Sequence, residues 1–269
     1  MAITRLQRDI LGLLAARRRQ RGESYVAGGV ALNVLLAAPR KSRDIDLFHD
    51  TEEALAVTWA ADRDALATNR FTVNVLREFP SFVEAGVARG AERTVIQWAR
   101  DSAYRFFPLV EDDLMGLALH PFDLATNKVL AMAGRLEARD WVDVLNCDER
   151  LQPFGYLVWA ACGKDPGYNP KSLLAAVSRA HYSQDELDAL EFEGLRPDAR
   201  DLGQHWHVML RAARDVVDAL PARQIGKCVA CRNGELCRSP SDELVEALRK
   251  DSVCFHEGCI GGAWPRFTS

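Results

Sequence analysis

The chain has 269 residues, of which 48% are hydrophobic and 27% are charged, and its formal net charge is −4. This composition is typical of a folded globular protein and argues against a protein that coats nucleic acid through bulk positive charge. No apolar run reaches the roughly 18 residues of a membrane-spanning helix. Residues 1–20 carry charges inside their apolar stretch and so lack the uninterrupted apolar core of a secretory signal peptide. The seven cysteines are an odd number, so a reducing, cytoplasmic location is expected.

The first part of the chain predicts alternating helices and strands. Apolar spacing and β-branched content predict, in chain order, a helix at 6–19, a strand at 24–29, a helix at 30–38, a strand at 44–48, a helix at 51–67 and strands at 71–79 and 93–101. This pattern predicts a mixed sheet with helices, and it ends near Pro121, which is a local break.

The remainder predicts mainly helices. They are expected at 122–147, 153–163, 170–181 and 201–220, followed by a hairpin at 227–238, a helix at 241–250 and a strand at 252–262. We therefore predict an α+β protein with three parts: an α/β domain at 1–121, a helical domain at 122–224 and a small cysteine-rich appendage at 225–269.

Two aspartates interrupt an apolar strand in the first part. Asp44 and Asp46 are two residues apart, so they point to the same side of the strand, where two carboxylates repel each other. A divalent cation between them relieves this repulsion, and Mg²⁺ favours carboxylate and phosphate oxygens. Upstream, Gly28 and Gly29 form a strand-to-helix turn where backbone N–H groups can approach an anion. The alternative is an exposed edge strand with two solvated acids.

Two sequence blocks together suggest a family. The Gly-Gly turn, the short helix and the run RKSRDID at 40–46 resemble the signature of the DNA polymerase β-like nucleotidyltransferase superfamily. The block DLATNKVLAMAGRLEARDWVDVL at 123–145 resembles the AbiEii/MenT group, which are minimal nucleotidyltransferases that include toxins of toxin–antitoxin pairs. This resemblance spans roughly residues 20 to 150 and implies a nucleotidyltransferase fold and activity.

The resemblance implies roles for the first block. Gly28 and Gly29 match the turn that cradles the nucleotide phosphates. Asp44 and Asp46 match the metal-binding and catalytic pair, with Mg²⁺ or Mn²⁺ as the implied ion.

It also implies roles for flanking residues and for the second block. Arg40 and Ser42 match a basic residue and a hydroxyl near the triphosphate. Lys128 matches a lysine that contacts the nucleotide phosphates, and Asp143, in preference to Asp140, matches the family's late catalytic acid. The alternative is an ordinary lysine on an amphipathic helix and an ion pair at a helix start.

One position departs from the superfamily pattern. Members often carry a third carboxylate on a later strand, and Gln97 occupies the position where that acid is expected. An amide cannot act as a general base at neutral pH. Asp101 and Asp143 are the candidates to replace it.

The tail contains a possible zinc motif. Cys228 and Cys231, with Cys254 and Cys259, have a spacing compatible with structural zinc. The second pair is loosely spaced, so we predict free thiols in this segment and no tightly bound zinc.

The expected function is transfer of an NMP group from an NTP to an acceptor hydroxyl. The resemblance includes a tRNA 3′ end among the acceptors and a cognate antitoxin protein as a partner, and no membrane partner is expected. The alternatives are adenylyl transfer to a small molecule or a protein, and a nucleotide-binding module without catalysis.

Overall fold

The computed structural model describes residues 3–265. The helices are α1 (Arg5–Arg21), α2 (Gly28–Leu35), α3 (Glu52–Thr68), α4 (Pro121–Arg135), α5 (Ala138–Arg150), α6 (Phe154–Ala161), α7 (Pro170–Val177), α8 (Gln184–Asp188), α9 (Ala199–Ala219) and α10 (Ser241–Arg249). The strands are β1 (Tyr25–Ala27), β2 (Arg40–Lys41), β3 (Asp44–His49), β4 (Thr72–Phe79), β5 (Phe82–Arg89), β6 (Glu92–Arg100), β7 (Tyr104–Arg105), β8 (Val110–Asp112), β9 (Gly116–Ala118), β10 (Glu191–Phe192), β11 (Cys228–Cys231), β12 (Val253–His256) and β13 (Cys259–Ile260).

The described residues divide into two compact units. The first comprises residues 3–103, 108–120 and 191–193, and the second comprises residues 104–107, 121–190 and 194–265. No helix among the described residues is long and apolar enough to cross a membrane.

The first unit is built on a mixed sheet, which has seven strands within the described residues in the order β4-β5-β6-β3-β1-β9-β8. β3 pairs with β1 antiparallel and with β6 in parallel, while β4, β5 and β6 form an antiparallel meander. β3 therefore lies in the middle of the sheet, with β1 on one side and the β4–β6 meander on the other.

One face of this sheet forms the core of the first unit. Ile45 and Leu47 on β3 are fully buried, as is Trp98 on β6. Trp98 stacks against Trp59 of α3 with ring centroids 4.6 Å apart, and its indole N–H donates to Asp62 at 3.1 Å. Because side chains alternate along a strand, Asp44 and Asp46 point to the opposite face of the sheet.

Side-chain caps fix where helices α1 and α3 of the first unit begin. Thr4 and Gln7 form a reciprocal capping box at the start of α1, and α1 ends at Gly22, which has a left-handed φ of 68°. Thr51 caps α3 by accepting a hydrogen bond from the Ala54 N–H.

The second unit packs around α6. All residues of α6 are buried, and this helix contacts α4 and α9. Gly155 permits the close approach of α9, since a methyl group at this position would lie 2.8 Å from Val216 Cβ and 2.9 Å from the Ala213 carbonyl oxygen. The Gln152 amide donates to the carbonyls of Val229 at 2.9 Å and Cys237 at 2.7 Å, which ties the cysteine-rich segment to this helical unit.

The predicted α+β class is confirmed, with a mixed sheet preceding a run of helices. The sequence patterns missed β5, which pairs along its whole length with β6 and along most of it with β4. Pro121, the predicted break, is the first residue of α4. The hairpin predicted at 227–238 forms only in part, because β11 takes β12 as its main partner and only Ala230 bridges back to Leu236 among the described residues.

His49 makes the stability of the first unit sensitive to mild acid. Its side chain is fully buried, and Nδ1 donates to the Ala99 carbonyl at 3.3 Å. Burial lowers the pKa of His49 from 6.5 to about 4, the Ala99 hydrogen bond opposing and Arg18 adding to the shift. As the pH falls from 6.5 to about 4, the His49 imidazole of the unfolded chain takes up a proton and that of the folded chain does not. We expect the unfolding free energy to fall by about 3 kcal/mol between these pH values.

Urea denaturation of the wild type and His49→Gln across this pH range measures the effect. The wild type should lose more stability on acidification than the variant, which lacks the titrating group. Parallel curves for the two proteins would contradict the prediction.

Candidate functional site

A glycine turn joins β1 to α2. Gly28 has a φ of 63°, in the left-handed region that favours glycine. A methyl group at Gly28 would overlap Asp46 Oδ2, so the missing side chain is what allows this carboxylate to lie against the turn. The turn and the N-terminus of α2 therefore meet the acid on β3 directly.

A cation and a hydroxyl converge on the second glycine. A methyl group at Gly29 would lie 2.7 Å from an Arg40 guanidinium nitrogen and 2.8 Å from Ser42 Oγ. Arg40 is buried, and its guanidinium also donates to the Lys41 carbonyl at 3.1 Å. A guanidinium and a hydroxyl thus lie at the turn, and the first N–H groups of a helix add further donors that suit an anion.

The two aspartates share the open face of β3. Asp44 and Asp46 are both partly exposed, while the intervening Ile45 is fully buried. Asp46 pairs in register with Ala27 of β1, the residue that precedes the glycine turn. The structure therefore brings Gly28, Gly29, Arg40, Ser42 and the two aspartates together within the first unit.

Gln97 lies directly beside Asp46. The two residues are paired in the parallel β3–β6 ladder, and the Gln97 amide donates to Glu84 Oε1 at 3.0 Å. Glu84, on β5, is buried and also accepts from Arg77 Nε at 2.8 Å. Asp101 follows the end of β6, and its N–H donates to the carbonyl of His49, the last residue of β3. Asp101 therefore lies beside the far end of β3 and not beside Asp46.

Glu84 is a site-proximal carboxylate that the sequence patterns did not identify. It is one strand beyond Gln97 on the same face as Asp46. The alternating Val83, Ala85 and Val87 between two turns were the signal for β5.

The aspartate pair suits a hard divalent cation. Carboxylate oxygens are the ligands that Mg²⁺ and Mn²⁺ favour, and Mg²⁺ is commonly held by one or two carboxylates together with substrate phosphates. Within residues 3–265, no group of three or more His, Cys, Asp or Glu side chains is placed to hold a metal ion. Asp44 and Asp46, which share the open face of β3, are the residues that could hold such a cation.

The residues of the second block form a buried ionic cluster in the second unit. Lys128 Nζ lies 2.9 Å from Asp140 Oδ1 and 3.0 Å from Asp143 Oδ2, and both carboxylates are fully buried. Arg135 also binds Asp140, with Nε 2.6 Å from Oδ2. The structure thus brings Lys128 and Asp143 together, with Asp140 as the third member of the cluster.

The environment holds Asp140 in its charged form. Burial raises its pKa, but the hydrogen bonds and positive charges of Arg135 and Lys128 outweigh burial and bring the pKa down to about 2. Asp140 is therefore anionic at neutral pH and pairs with the ammonium of Lys128.

The cysteines of the tail are free thiols in the structure. Cys228 and Cys237 are buried, Cys231 and Cys254 are partly buried, and Cys259 is exposed. Burial raises the pKa of the Cys228 thiol well above its ordinary value. A buried thiol of this kind is a small apolar group in the core.

Solved structures share this fold. JHP933 from Helicobacter pylori aligns with a TM-score of 0.52 and 16% identity over 79% of this chain and 90% of JHP933. A second H. pylori protein, provisionally described as a nucleotidyltransferase, aligns with a TM-score of 0.51 and 13% identity over 80% of this chain and 96% of its own. MenT4, a nucleotidyltransferase toxin of Mycobacterium tuberculosis H37Rv, aligns with a TM-score of 0.50 and 15% identity over 81% of this chain and 85% of MenT4.

Neither a protein-family model nor a curated protein sequence matches the chain. At the identities found, the three structures show a common fold. The predicted resemblance to MenT-type nucleotidyltransferases is therefore confirmed at the level of the fold.

Proposed function

We propose that this protein is a nucleotidyltransferase that moves an NMP group from an NTP to an acceptor hydroxyl and releases pyrophosphate. The observation that carries the proposal is the contact between the glycine turn and Asp46. The glycine turn, of a kind that can bind anions, lies against one carboxylate of the aspartate pair, and solved nucleotidyltransferases share the fold. A triphosphate and the cation that accompanies it need both features.

Each candidate site residue of the first unit has a role in the proposed reaction. The N–H groups at Gly28 and Gly29 bind phosphate oxygens, and the Arg40 guanidinium and Ser42 hydroxyl add charge and a hydrogen bond at the same turn. Asp44 and Asp46 would hold Mg²⁺ or Mn²⁺, which when bound supplies positive charge for the phosphates and lowers the pKa of a coordinated hydroxyl. This set positions the nucleotide for attack and holds the leaving pyrophosphate.

The residues of the second block have roles that the family resemblance implies. By the family resemblance, Lys128 binds nucleotide phosphates and Asp143 is catalytic. The fully buried Asp143 carboxylate, 3.0 Å from Lys128 Nζ, is suited to orient that ammonium. A lysine held by two carboxylates keeps its charge and its direction, as phosphate binding requires.

The acceptor and the biological role extend this proposal. MenT4, which shares the fold, is a nucleotidyltransferase toxin, and this supports a toxin role. A tRNA 3′ end as acceptor and a cognate antitoxin as partner are proposed from the family resemblance of the sequence. The cytoplasm is the proposed location, because it contains NTPs and keeps thiols reduced. The second candidate is adenylyl transfer to a small molecule or a protein, which the same turn and acid pair would serve.

Labelled nucleotides test the function. The protein is incubated with each α-labelled NTP and Mg²⁺ or Mn²⁺, together with total RNA, hydroxylated small molecules or a protein extract. Label in the RNA fraction supports the tRNA-type acceptor, and label in another fraction supports the second candidate. Binding of NTPs without label in any fraction would overturn the proposal in favour of a non-catalytic module.

Gly28→Ala should reduce transfer much more than it reduces stability. The new methyl group displaces the Asp46 carboxylate, and a misplacement of about 1 Å costs roughly a hundredfold in rate. The left-handed backbone alone costs about 1 kcal/mol of unfolding free energy. Gly22→Ala is the matched control, because Gly22 has a φ of 68° with nothing within 4 Å of the added methyl. Equal transfer rates in the two variants would contradict a site at the turn.

Asp143→Asn separates two roles for this carboxylate. If Asp143 orients Lys128, the neutral amide should weaken NTP affinity, measured by calorimetry with a non-hydrolysable analogue. If it is the general base, the transfer rate should fall at unchanged affinity and recover at alkaline pH. From the Lys128 contact we expect the affinity to fall, and an affinity equal to that of the wild type would contradict the orienting role.

A further inference from the structure

A row of polar side chains crosses the open face of the sheet in the first unit. Arg77 of β4 pairs in register with Glu84 of β5, and Glu84 pairs with Gln97 of β6. Gln97 pairs in turn with Asp46 of β3, whose carboxylate lies against the turn at Gly28. Because neighbouring strands are about 4.8 Å apart, each side chain of the row can contact the next. The row therefore connects the edge strand β4 with the candidate site.

Glu84 is a buried carboxylate with both oxygens hydrogen-bonded. Its neighbours Val83 and Ala85 are buried in the core, so Glu84 points to the open face, where it is only 8% exposed. Oε2 accepts from Arg77 Nε at 2.8 Å, and Oε1 accepts from the Gln97 amide nitrogen at 3.0 Å. The guanidinium compensates the charge of the carboxylate, as burial requires.

Glu84 determines which way the Gln97 amide faces. A carboxylate paired with a guanidinium accepts hydrogen bonds and cannot donate them, so the end of the amide that meets Glu84 is the NH₂ group. The carbonyl oxygen is the other branch of the amide and is directed away from Glu84. Since β6 lies between β5 and β3, Asp46 is on the side away from Glu84. An oxygen, and not a nitrogen, is therefore available on the side of the aspartates.

We propose that Glu84 is a positioning residue of the cation site: it directs the carbonyl oxygen of Gln97 towards Asp46, where this oxygen is a neutral ligand for the divalent cation. The inference rests on the proposed function, because it takes Asp44 and Asp46 as the residues that hold the cation. It assigns a role to Glu84, which acts only through Gln97.

The charges of the row favour a neutral oxygen at this position. Amide carbonyls are hard oxygen ligands, as carboxylates are. Asp44 and Asp46 together balance the charge of a divalent cation, and Arg77 already compensates Glu84. A carboxylate in place of the Gln97 amide would face like charges on both sides. Gln97 instead donates to one anion and leaves an oxygen beside the other.

Mn²⁺ is the probe, and its binding to the protein without nucleotide is measured from the EPR signal of the free ion. Gln97→Met removes both ends of the amide at similar side-chain length. Glu84→Gln acts at a distance: the oxygen of an amide at position 84 accepts from Arg77, so its NH₂ group meets Gln97. The Gln97 amide must then turn round and present its own NH₂ group to Asp46.

A double variant and a control complete the set. Glu84→Gln combined with Gln97→Glu keeps the row bonded, because the amide at position 84 accepts from Arg77 and donates to the carboxylate at position 97. It places an oxygen beside Asp46 again. Gln20→Met is the matched control, since Gln20 is exposed on α1 of the same unit. Thermal melts confirm that every variant is folded.

We expect Gln97→Met and Glu84→Gln each to weaken Mn²⁺ binding by about tenfold, as loss of a group that orients a metal ligand does. The double variant should bind Mn²⁺ at least as tightly as the wild type, because a charged oxygen replaces a neutral one. Gln20→Met should not change the affinity. A purely structural role for Glu84 predicts instead that the double variant binds no better than Glu84→Gln.

Three results would overturn the assignment of Glu84. They are unchanged Mn²⁺ affinity in Glu84→Gln, a double variant that binds as weakly as Glu84→Gln, and a wild type that binds no Mn²⁺. The binding assay needs no turnover, so its outcome is separate from that of the proposed function. The expected Mn²⁺ affinities without label transfer by the wild type would reject the transferase and retain the role of Glu84. Label transfer by the wild type, with one Mn²⁺ affinity in all variants, would do the reverse.

Discussion

Asp46→Ala is expected to abolish nucleotidyl transfer while leaving the chain folded. Asp46 contacts the glycine turn and shares the open face of β3 with Asp44. Loss of one of two carboxylates that hold a catalytic cation removes several kcal/mol of transition-state stabilisation, or at least about a thousandfold in rate. The side chain is partly exposed and its removal relieves repulsion with Asp44, so the unfolding free energy should change by no more than about 0.5 kcal/mol.

The measurement combines label transfer with chemical denaturation. Asp64→Ala is the control, because it removes the same charge from an exposed position on α3 of the same unit. Asp44→Ala should match Asp46→Ala in rate. A wild-type transfer rate in folded Asp46→Ala would reject the proposed role of the aspartate pair.

Lys128→Met is expected to lower the unfolding free energy by about 3–5 kcal/mol, because breaking a buried ion pair leaves uncompensated charge in the interior. Lys128 Nζ is within 3.0 Å of Asp140 and Asp143, whose carboxylates are fully buried. Arg135 continues to bind Asp140, so the loss of the lysine falls mainly on Asp143. Urea denaturation measures the change, and an unchanged unfolding free energy would contradict it.

A second buried lysine separates stability from nucleotide binding. Lys164 Nζ lies 2.8 Å from Asp123 Oδ1, and its side chain is 9% exposed, as is that of Lys128. Lys164→Met should therefore destabilise the chain to a similar extent. If Lys128 binds nucleotide phosphates, only Lys128→Met should also weaken NTP binding, measured at a temperature where both variants are folded. Equal NTP affinities in the two variants would remove Lys128 from the proposed site.

The local pattern of the sequence was sufficient for much of the first unit. The spacing of Asp44 and Asp46 around buried Ile45 predicted one shared face, and the strand has that alternation. The glycine pair predicted the start of a helix, and α2 begins at Gly28. These features depend on neighbours within a few residues, for which backbone geometry and side-chain period are enough.

Tertiary pairing decided what lies beside those residues. Which strand neighbours β3 is a matter of long-range hydrogen bonding, and it places Gln97 next to Asp46 and Glu84 next to Gln97. The same ladder places Gly86 of β5 beside Val95 of β6, a pairing that the local pattern of either strand does not specify.

Burial of the second block was also decided by packing. The sequence presents Lys128 and Asp143 as polar residues of one predicted helix at 122–147, and such residues are usually solvated. The structure divides this stretch into α4 and α5. In the structure α4 and α5 pack against each other and enclose the lysine between Asp140 and Asp143. The sequence by itself therefore determined the residues of the candidate site and their local geometry. Only the tertiary structure decided their partners, because strand register and helix packing join residues whose separation along the chain leaves no local signal.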